Sequence, residues 1–392
     1  MDANFSVRMG NIKKSFIREI LKAIDKPGMI SFAGGLPNPI SFPVEDIKQA
    51  TAKVLDADGE NVLQYSTTEG YRPLREIIAQ RYKKRFDIDI SPDEILITNG
   101  SQQALDLMGK VFLDKGDGVV TERPAYLGMI QAISVFEPTF YEAMLNPDGI
   151  DTQMLSVVLS KHDPKLIYSV PNFQNPTGIT YSGEVRRQVA DVISETRTVL
   201  IEDDPYGELR FMGKDEVSFK KLAPENTVTL GSFSKIVSPG MRLGWVVAPP
   251  EIIDKLITVK QASDLHSNYF SQRVVCQYLM DNDIDKHITK IKALYKSQRN
   301  LMVEMIAKHF PEEVHTTKPE GGMFLWATLP ENISALDVFE KAYEQNVAFV
   351  PGNPFFACNE MGNTFRLNYS NSNEEAIEKG IKTIGRILKE QN

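Results

Sequence analysis

Hydrophobic residues change their spacing repeatedly along the chain from about residue 45 onward. Apolar positions three or four apart predict helices, which fall near 45–56, 73–85, 101–113, 124–134, 152–160 and 183–196. Short apolar runs between them predict strands, at 94–98, 118–122, 165–170, 198–203, 227–233 and 242–248. Short apolar strands that alternate with helices favour an α/β fold, with a mostly parallel central sheet and helices on both faces.

The pattern differs at the two ends of the chain. Residues 12–24 carry apolar side chains at helical spacing, so we predict an amphipathic helix that Pro27 and Gly28 end. A turn-rich connector follows it at 31–43. After about residue 284 a long helix, two strands and a closing helix predict a smaller α/β domain, at 284–308, 322–329, 364–370 and 374–389. We therefore expect three parts. Residues 1–44 would form an N-terminal helix and connector that belong to the small domain and the pocket. Residues 45–284 would form a large domain, and residues 285–392 a C-terminal small domain.

Composition and charge narrow the class of protein. The 392 residues carry a net charge of −8, and the basic residues of 81–85 are typical of a solvated helix face, so we expect no nucleic-acid partner. Two distant cysteines, Cys276 and Cys358, indicate a reducing compartment and offer no metal-ligand spacing. No segment resembles a signal peptide or a membrane span. We therefore expect a cytoplasmic protein without membrane contact.

A lysine surrounded by hydroxyl groups and an arginine is the first candidate for chemistry. Lys235 follows a predicted strand and stands close in sequence to Ser232, Ser234 and Arg242. The two hydroxyls and the guanidinium are suited to bind a phosphate dianion and leave the amine free to attack an aldehyde. The alternative is a polar loop in which Arg242 pairs with a carboxylate.

Two further polar clusters follow neighbouring predicted strands. Asn175 opens the turn Asn-Pro-Thr-Gly, which an ordinary strand-to-helix loop also explains. The run Glu202-Asp203-Asp204 ends a strand shortly before Tyr206, and adjacent carboxylates there indicate a cationic ligand. Magnesium binding is the competing interpretation, although no phosphate-binding loop accompanies the acids. Since one βαβ interval separates each cluster from the next, we expect all three at the same edge of the sheet.

The motifs along nearly the whole chain form one ordered set. They are FAGGLP (32–37), QYSTTEGYRPLRE (64–76), TNGSQQALDL (98–107), ERPAY (122–126), NPTG (175–178), DDPYGEL (203–209), SFSKIVSPGMRLGW (232–245), PEGGMFLW (319–326) and FRLNYS (365–370). In this order they resemble the class I and II aminotransferases of pyridoxal 5′-phosphate (PLP) fold type I. Within that family, the resemblance is to the branch of aminoadipate, kynurenine and aromatic aminotransferases.

The resemblance implies roles around the PLP ring. Lys235 would bind the cofactor as a Schiff base and then move a proton between substrate and cofactor. Asp203 would pair with the pyridine nitrogen, and Asn175 and Tyr206 would hydrogen-bond the 3′-oxygen. Tyr126 would stack on the ring, although a core tyrosine is the alternative.

Further roles concern the phosphate, the substrate and the partner subunit. Ser101 and Gln102 begin a helix, where backbone N–H groups favour an anion, and Ser232, Ser234 and Arg242 would complete the phosphate site. The resemblance implies that Tyr65 reaches this site from the other subunit of a homodimer with a shared active site. Arg366 would bind the substrate α-carboxylate, Asn175 would also contact the substrate, and Gly35 and Leu36 would line the substrate pocket. His266, Ser267 and Asn268 stand where relatives contribute to the neighbouring subunit's pocket.

We therefore expect a PLP-dependent aminotransferase with two half-reactions. An aromatic, large apolar or 2-aminoadipate-like amino acid would donate its amino group, and a 2-oxo acid, 2-oxoglutarate in our expectation, would accept it. A C–S β-lyase on the same fold is one alternative, because both reactions begin with loss of the Cα proton. A PLP-binding regulator domain is another, but the predicted first helix runs directly into 32–37 and leaves no room for a DNA-binding module. The histidines offer no metal site.

Overall fold

The computed structural model describes residues 4–11, 28–358 and 360–391, so the helix expected at 12–24 lies outside the described residues. The helices are α1 (Arg8–Asn11), α2 (Val44–Val62), α3 (Arg72–Phe86), α4 (Ser101–Phe112), α5 (Leu127–Ser134), α6 (Thr152–His162), α7 (Gly183–Ser194), α8 (Phe219–Leu222), α9 (Pro250–Asp264), α10 (Tyr269–Asp281), α11 (Ile284–His309), α12 (Ala335–Glu344) and α13 (Glu374–Lys389). The strands are β1 (Ile30–Ser31), β2 (Ile95–Thr98), β3 (Gly118–Arg123), β4 (Thr139–Asn146), β5 (Gly149–Ile150), β6 (Leu166–Ser169), β7 (Val199–Asp203), β8 (Thr227–Ser232), β9 (Gly244–Val247), β10 (His315–Thr316), β11 (Phe324–Thr328), β12 (Val347–Ala348), β13 (Val350–Pro351) and β14 (Thr364–Asn368).

The central sheet has eight strands in the order β2-β9-β8-β7-β6-β3-β4-β5. Strands β8, β7, β6, β3 and β4 are parallel, whereas β9 runs antiparallel to both of its neighbours and β5 is antiparallel to β4. Every residue of β6, β7 and β8 is buried, which explains their continuous apolar character in the sequence. The expected mostly parallel sheet is therefore confirmed for its centre.

Helices cover both faces of this sheet, and strand alternation assigns each side chain to one face. Ile167 and Leu200 pack in a cluster with residues of α6, α7 and α8. Tyr168 and Ile201, one position further along each strand, belong to the larger cluster that includes α4 and α9. The same alternation places Glu202 on the α7 face and Asp203 on the α4 face.

A second, four-stranded antiparallel sheet has the order β10-β11-β14-β13. Helices α11 and α13 pack against each other in this part of the chain. Strand β1 pairs with β12, and the backbone N–H of Asn368 donates to the carbonyl of Phe32 at 2.8 Å, so the connector joins the C-terminal region. These contacts favour the division into 1–44, 45–284 and 285–392, which stays a prediction.

One difference from the expected elements concerns the segment before α5. The sequence pattern predicts a helix from residue 124, but α5 begins at Leu127 and Tyr126 is extended. The reason is tertiary, because the backbone N–H of Ala125 donates to the carbonyl of Phe355 at 2.7 Å. The sequence analysis also missed helices α9, α10 and α12 and strand β4. Among the described residues, no helix has the length and apolarity needed to cross a membrane.

Candidate active site

A cavity of about 440 Å³ opens at the carboxyl ends of the central parallel strands. The three polar clusters that follow β6, β7 and β8 meet there, as expected for parallel neighbours in a sheet. The cavity is lined by Gly35, Gly100, Ser101, Gln102, Tyr126, Leu127, Gly128, Gln131, Tyr168, Val170, Asn175, Asp203, Pro205, Tyr206, Ser232, Ser234, Lys235, Arg242, Phe355 and Arg366. Residues from both sheets therefore contribute to one site.

Three consecutive acids stand at the end of β7, and their side chains lie in different surroundings. Glu202 accepts hydrogen bonds from the Ser218 hydroxyl at 2.6 Å and from backbone N–H groups at the start of α8. Asp204 accepts from the Asn172 amide at 2.8 Å. Only Asp203 lines the cavity. The described residues contain no cluster of acids, histidines and cysteines suited to a metal, so the structure gives no support to the magnesium alternative.

Asp203 is buried and only half satisfied in its hydrogen bonding. Its Oδ2 accepts a hydrogen bond from the Tyr168 hydroxyl at 2.7 Å, and its Oδ1 has no partner among the described residues. Burial raises the pKa of Asp203 to about 7, against the opposing effect of the Tyr168 hydrogen bond. The neighbouring charges of Asp204 and Glu122 contribute to this raised pKa. A cationic N–H donor in the cavity would satisfy the free oxygen.

Arg366 reaches the cavity from β14, the strand of the second sheet. Its Nη1 donates to the Asn175 Oδ1 at 2.8 Å and its Nη2 donates to the carbonyl of Ala33 at 2.6 Å. The guanidinium lies 4.3 Å from the centre of the Phe324 ring, and its Nε has no hydrogen-bond partner in the described part of the chain. Burial lowers the pKa of Arg366 to about 10, so it remains a cation at neutral pH. No carboxylate of the described residues neutralises it, which suits it to bind an anionic substrate.

Asn175 connects this arginine to Tyr206. The Asn175 Nδ2 donates to the Tyr206 hydroxyl oxygen at 3.3 Å, while its Oδ1 accepts from Arg366. Both Asn175 and Tyr206 are buried, and burial raises the pKa of Tyr206. The phenol therefore remains protonated and can donate a hydrogen bond into the cavity.

Lys235 is half-buried at the end of β8. Its Nζ donates to the carbonyl of Gly35 at 2.9 Å, and no ion pair of Lys235 occurs in the described part of the chain. Burial lowers the pKa of Lys235 to about 8, and the positive charges of Arg366 and Arg242 add to this effect. Near neutral pH, more of the amine is therefore neutral and nucleophilic than in an ordinary lysine.

The start of α4 lies beside the guanidinium of Arg242. Gly100 precedes the helix in a left-handed conformation and provides no side-chain cap for the first N–H groups. A Cβ on Gly100 would lie 2.7 Å from the Arg242 Nη2, so only glycine permits this approach of the guanidinium. Arg242 donates to the carbonyls of Asn99 and Pro239 and forms no ion pair within the described residues. The described residues therefore give no support to the loop alternative, in which Arg242 pairs with a carboxylate.

Most of the expected residues line the cavity, including Ser101, Gln102, Ser232, Ser234, Gly35 and Tyr126. Two do not in the single chain. Leu36 is exposed, although its carbonyl accepts from the Ser370 hydroxyl. Tyr65 is 78% exposed and packs edge-on against His266, away from the cavity of its own chain.

Neighbours of His266 have structural contacts of their own. The Ser267 hydroxyl donates to the carbonyl of Ile97 at 3.1 Å, and the Asn268 side chain accepts from the backbone N–H of Ser271, which caps α10. None of His266, Ser267 and Asn268 lines the cavity within this chain. Their expected contribution to a neighbouring subunit stays a prediction.

Several lining residues were missed by the sequence analysis, namely Gly100, Tyr168, Leu127, Gly128, Gln131, Val170, Pro205 and Phe355. Tyr168 carried a usable signal, because its place on β6 is the diagonal neighbour of Asp203 on β7. Phe355 carried no such signal, since it reaches the cavity from a short 3-10 helix far along the chain.

Comparisons with known proteins agree on one family. The family model for aminotransferase class I and II matches residues 32–384. The chain is 43% identical to aromatic-amino-acid aminotransferase 1 of Thermococcus litoralis, over 99% of this chain and 94% of that protein. It is 42% identical to 2-aminoadipate transaminase of Thermus thermophilus, over 98% and 96% of the two chains. The crystal structure of LysN, the α-aminoadipate aminotransferase of T. thermophilus in complex with N-(5′-phosphopyridoxyl)-L-leucine, superposes with a TM-score of 0.92 at 41% identity, over 99% and 97% of the chains.

Proposed function

The chain belongs to the class I and II aminotransferases, and from this premise we propose that the cavity is its active site and that Lys235 carries its cofactor. Family membership and the close relatives make it a PLP-dependent transaminase of PLP fold type I. The observation that supports the residue assignment is the meeting of three groups in one cavity. These are the Lys235 amine, the unpartnered oxygen of Asp203 and the anion site at Arg242.

The residues present fit the cofactor. The free Oδ1 of Asp203 is an acceptor for a ring N–H, and the start of α4 with Arg242 offers donors to a phosphate. Ser232 and Ser234 lie beside Lys235 on the same rim of the cavity. When bound, PLP withdraws electrons from the Cα of the amino acid and carries its nitrogen between the two half-reactions.

Each residue then has a defined task. Lys235 removes the proton from the substrate Cα and returns one, which its lowered pKa allows at neutral pH. Asp203 would keep the proton on the ring nitrogen. Asn175 and Tyr206 would donate hydrogen bonds to the ring oxygen, and Tyr126 would pack on the ring.

Arg366 binds the α-carboxylate of the substrate. An amino acid and a 2-oxo acid share this carboxylate, so one arginine serves both half-reactions. Arg366 is held in place by Asn175 and by the carbonyl of Ala33, and it needs no large movement to meet the substrate. Gly35 lies near by and, through its small size, leaves room in front of Phe324.

The proposed donor is an aromatic, large apolar or 2-aminoadipate-like amino acid, and the proposed acceptor is 2-oxoglutarate. The names of the two relatives support this class of donor. Leu127 and Phe355 line the cavity with apolar surface, and Gln131 adds one amide. The C–S β-lyase and the regulator domain are not favoured, because these relatives are named as aminotransferases.

We also propose a cytoplasmic homodimer in which Tyr65 completes the phosphate site of the partner. The exposure of Tyr65 and its distance from the cavity of its own chain support a role across an interface. The acidic net charge favours small-molecule substrates and no nucleic-acid partner.

Borohydride reduction of the freshly isolated enzyme tests the assignment of Lys235. Peptide mass spectrometry should find a pyridoxyl group on Lys235, and the Lys235→Ala variant should carry none and lose transamination. Lys220→Ala is the matched control, because Lys220 is also buried but its Nζ donates to the carbonyl of Pro224, outside the cavity. A pyridoxyl group on another lysine of the unmodified enzyme would overturn the assignment.

A half-reaction screen tests the substrate class. Each amino acid is added alone to the loaded enzyme, and loss of the cofactor absorbance is followed without a 2-oxo acid. Aromatic and 2-aminoadipate-like amino acids should react fastest. Release of ammonia and pyruvate without any 2-oxo acid would instead identify the β-lyase.

A further inference from the structure

Tyr168 is a buried residue of the cavity to which the proposed reaction assigns no task. It lies on β6, is 1% exposed, and its hydroxyl donates to the Oδ2 of Asp203 at 2.7 Å. No other side chain of the described residues hydrogen-bonds Asp203, and its Oδ1 is unpartnered. The two oxygens of this carboxylate therefore differ, and Tyr168 causes the difference.

We propose that Tyr168 is a positioning residue for the cofactor, because its hydroxyl occupies one oxygen of Asp203 and presents the other to the ring nitrogen. This inference rests on the proposed function, in which Asp203 holds the ring N–H. A carboxylate with one fixed hydrogen bond has lost its freedom to rotate about Cβ–Cγ. The remaining oxygen is then preorganised for a single donor.

The direction of the hydrogen bond is determined by the phenol. Burial raises the pKa of Tyr168 well above its usual value, and the charge of Asp203 raises it further. The phenol therefore remains protonated and acts only as a donor. Its hydrogen bond stabilises the ionised form of Asp203 and opposes the effect of burial on the carboxyl pKa.

Several other ionisable groups surround Asp203. They are Asp204 and Tyr206 after β7, Glu122 on β3, Tyr126 before α5, Lys235 after β8, Arg242 before β9 and Arg366 on β14. Of these, Asp204 and Glu122 raise the pKa of Asp203. Tyr168 is the group that lowers it through a direct hydrogen bond.

A second tyrosine provides a matched control. Tyr181 is fully buried, and its hydroxyl donates at 2.7 Å to the carboxylate of Glu122, on the opposite face of the sheet. Glu122 also accepts from Ser169, Gln174 and the backbone N–H of Val170, and neither Glu122 nor Tyr181 lines the cavity. Tyr168→Phe and Tyr181→Phe thus each remove one hydroxyl from one buried carboxylate.

The experiment measures the dissociation constant of PLP for the full-length enzyme across a pH range that spans neutrality. A protonated Asp203 must lose its proton before it accepts the N–H of a protonated ring. Affinity should therefore fall as the pH drops through the pKa of Asp203. In Tyr168→Phe this midpoint should move to higher pH, and affinity at neutral pH should fall roughly tenfold or more, because a hydrogen bond to a charged group is lost.

The controls separate positioning from general destabilisation. Tyr181→Phe should unfold more readily and keep the midpoint of the unmodified enzyme. Replacement of Tyr168 by 3-fluorotyrosine preserves the size of the side chain and strengthens the donor, so the midpoint should move to lower pH. An unchanged midpoint in Tyr168→Phe, or an equal shift in Tyr181→Phe, would overturn the inference.

Asp203→Asn distinguishes failure of this inference from failure of the proposed function. The variant should bind PLP weakly, and its affinity should fall at low pH only through protonation of the Lys235 amine. If the fall of affinity at low pH were unchanged from that of the unmodified enzyme, Asp203 would not hold the ring, and the proposed function would fail. If the contribution of Asp203 disappeared while the midpoint of Tyr168→Phe was unshifted, only the role of Tyr168 would be removed.

Discussion

Buried carboxylates on the two faces of the central sheet differ in how completely their oxygens are hydrogen-bonded. On the α7 face, Glu122 accepts four hydrogen bonds, and both oxygens of Glu202 have donors. On the α4 face, Asp203 accepts one and keeps an unpartnered oxygen. Burial raises the pKa of all three acids. The buried carboxylates of the α7 face have donors for both oxygens and stabilise the fold. The carboxylate on the α4 face keeps one oxygen that a ligand can bind.

Two buried arginines repeat this contrast. Arg186 on the α7 face donates to the carbonyls of Tyr181, Val217 and Pro171 and to the side chain of Asn172. Arg366 in the cavity has an unpartnered Nε. A fully bonded buried charge organises the backbone around it, whereas a partly bonded one is ready to bind an ion of opposite charge.

The largest expected effect comes from neutralising one acid on each face. Asp203→Asn should lower kcat/KM by roughly 10²- to 10³-fold, because it removes a preorganised charge at the reacting ring. The free energy of unfolding of its cofactor-free form should stay equal or rise, because an incompletely bonded buried charge disappears. Steady-state kinetics and urea unfolding measure the two quantities.

Glu122→Gln is the counterpart on the opposite face. Its new amide would face the Gln174 Nε2, which is itself a donor, so the free energy of unfolding should fall by about 3 kcal/mol. The loss of kcat/KM should be much smaller than in Asp203→Asn. If Glu122→Gln were as inactive as Asp203→Asn and equally stable, the two faces would not differ as described.

Exchanging arginine for lysine should give the next largest effect. Arg366→Lys should lower kcat/KM by roughly tenfold to a hundredfold for donor and acceptor alike, because lysine cannot form the two-pronged hydrogen bond. Arg186→Lys, its matched control, should mainly lower the free energy of unfolding. Selective loss of only one of the two substrates in Arg366→Lys would argue against a shared carboxylate site.

The pKa of Lys235 leads to a smaller, graded effect. Its amine is neutral above a pKa of about 8 and cationic below it. The rate of PLP attachment to the cofactor-free enzyme should therefore rise about tenfold per pH unit below that value and then level off. Stopped-flow absorbance measures this rate, and a plateau that begins near the ordinary pKa of lysine would refute the shift.

Tyr65→Phe should have the smallest effect, a loss of PLP affinity of roughly tenfold or less, because one hydrogen bond to a phosphate is removed. Equilibrium dialysis should detect the loss in a dimeric enzyme. Tyr141→Phe is a suitable control, since Tyr141 stacks on His162 away from the cavity. Equal affinities of Tyr65→Phe and the unmodified enzyme would contradict a phosphate site shared between subunits.

Much of this site follows from local sequence patterns. The apolar runs at β6, β7 and β8 predicted three adjacent parallel strands, and the polar residues after them were expected at one edge. That expectation held because right-handed βαβ crossovers bring the carboxyl ends of successive strands together. The residue roles at Lys235 and Asp203 came from the family resemblance and are proposals that the experiments above test.

Long-range contacts were beyond reach of the sequence. The start of α5 moved to Leu127 because Ala125 bonds to Phe355, more than two hundred positions away. The Lys235 amine meets the carbonyl of Gly35 through an equally remote contact. Neither contact leaves a trace in the spacing of apolar residues.

The amino-acid sequence by itself determined the succession of strands β6, β7 and β8, and the edge of the sheet where polar side chains gather, because these depend on periodicity over a few residues. Only the tertiary structure decided which carboxylate oxygen would lack a partner among the described residues. That outcome depends on which donors other strands and helices bring to each side: Ser218 and α8 to Glu202, and Tyr168 alone to Asp203. The unpartnered oxygen that Asp203 presents to the cavity results from this difference in the number of hydrogen-bond donors near each acid.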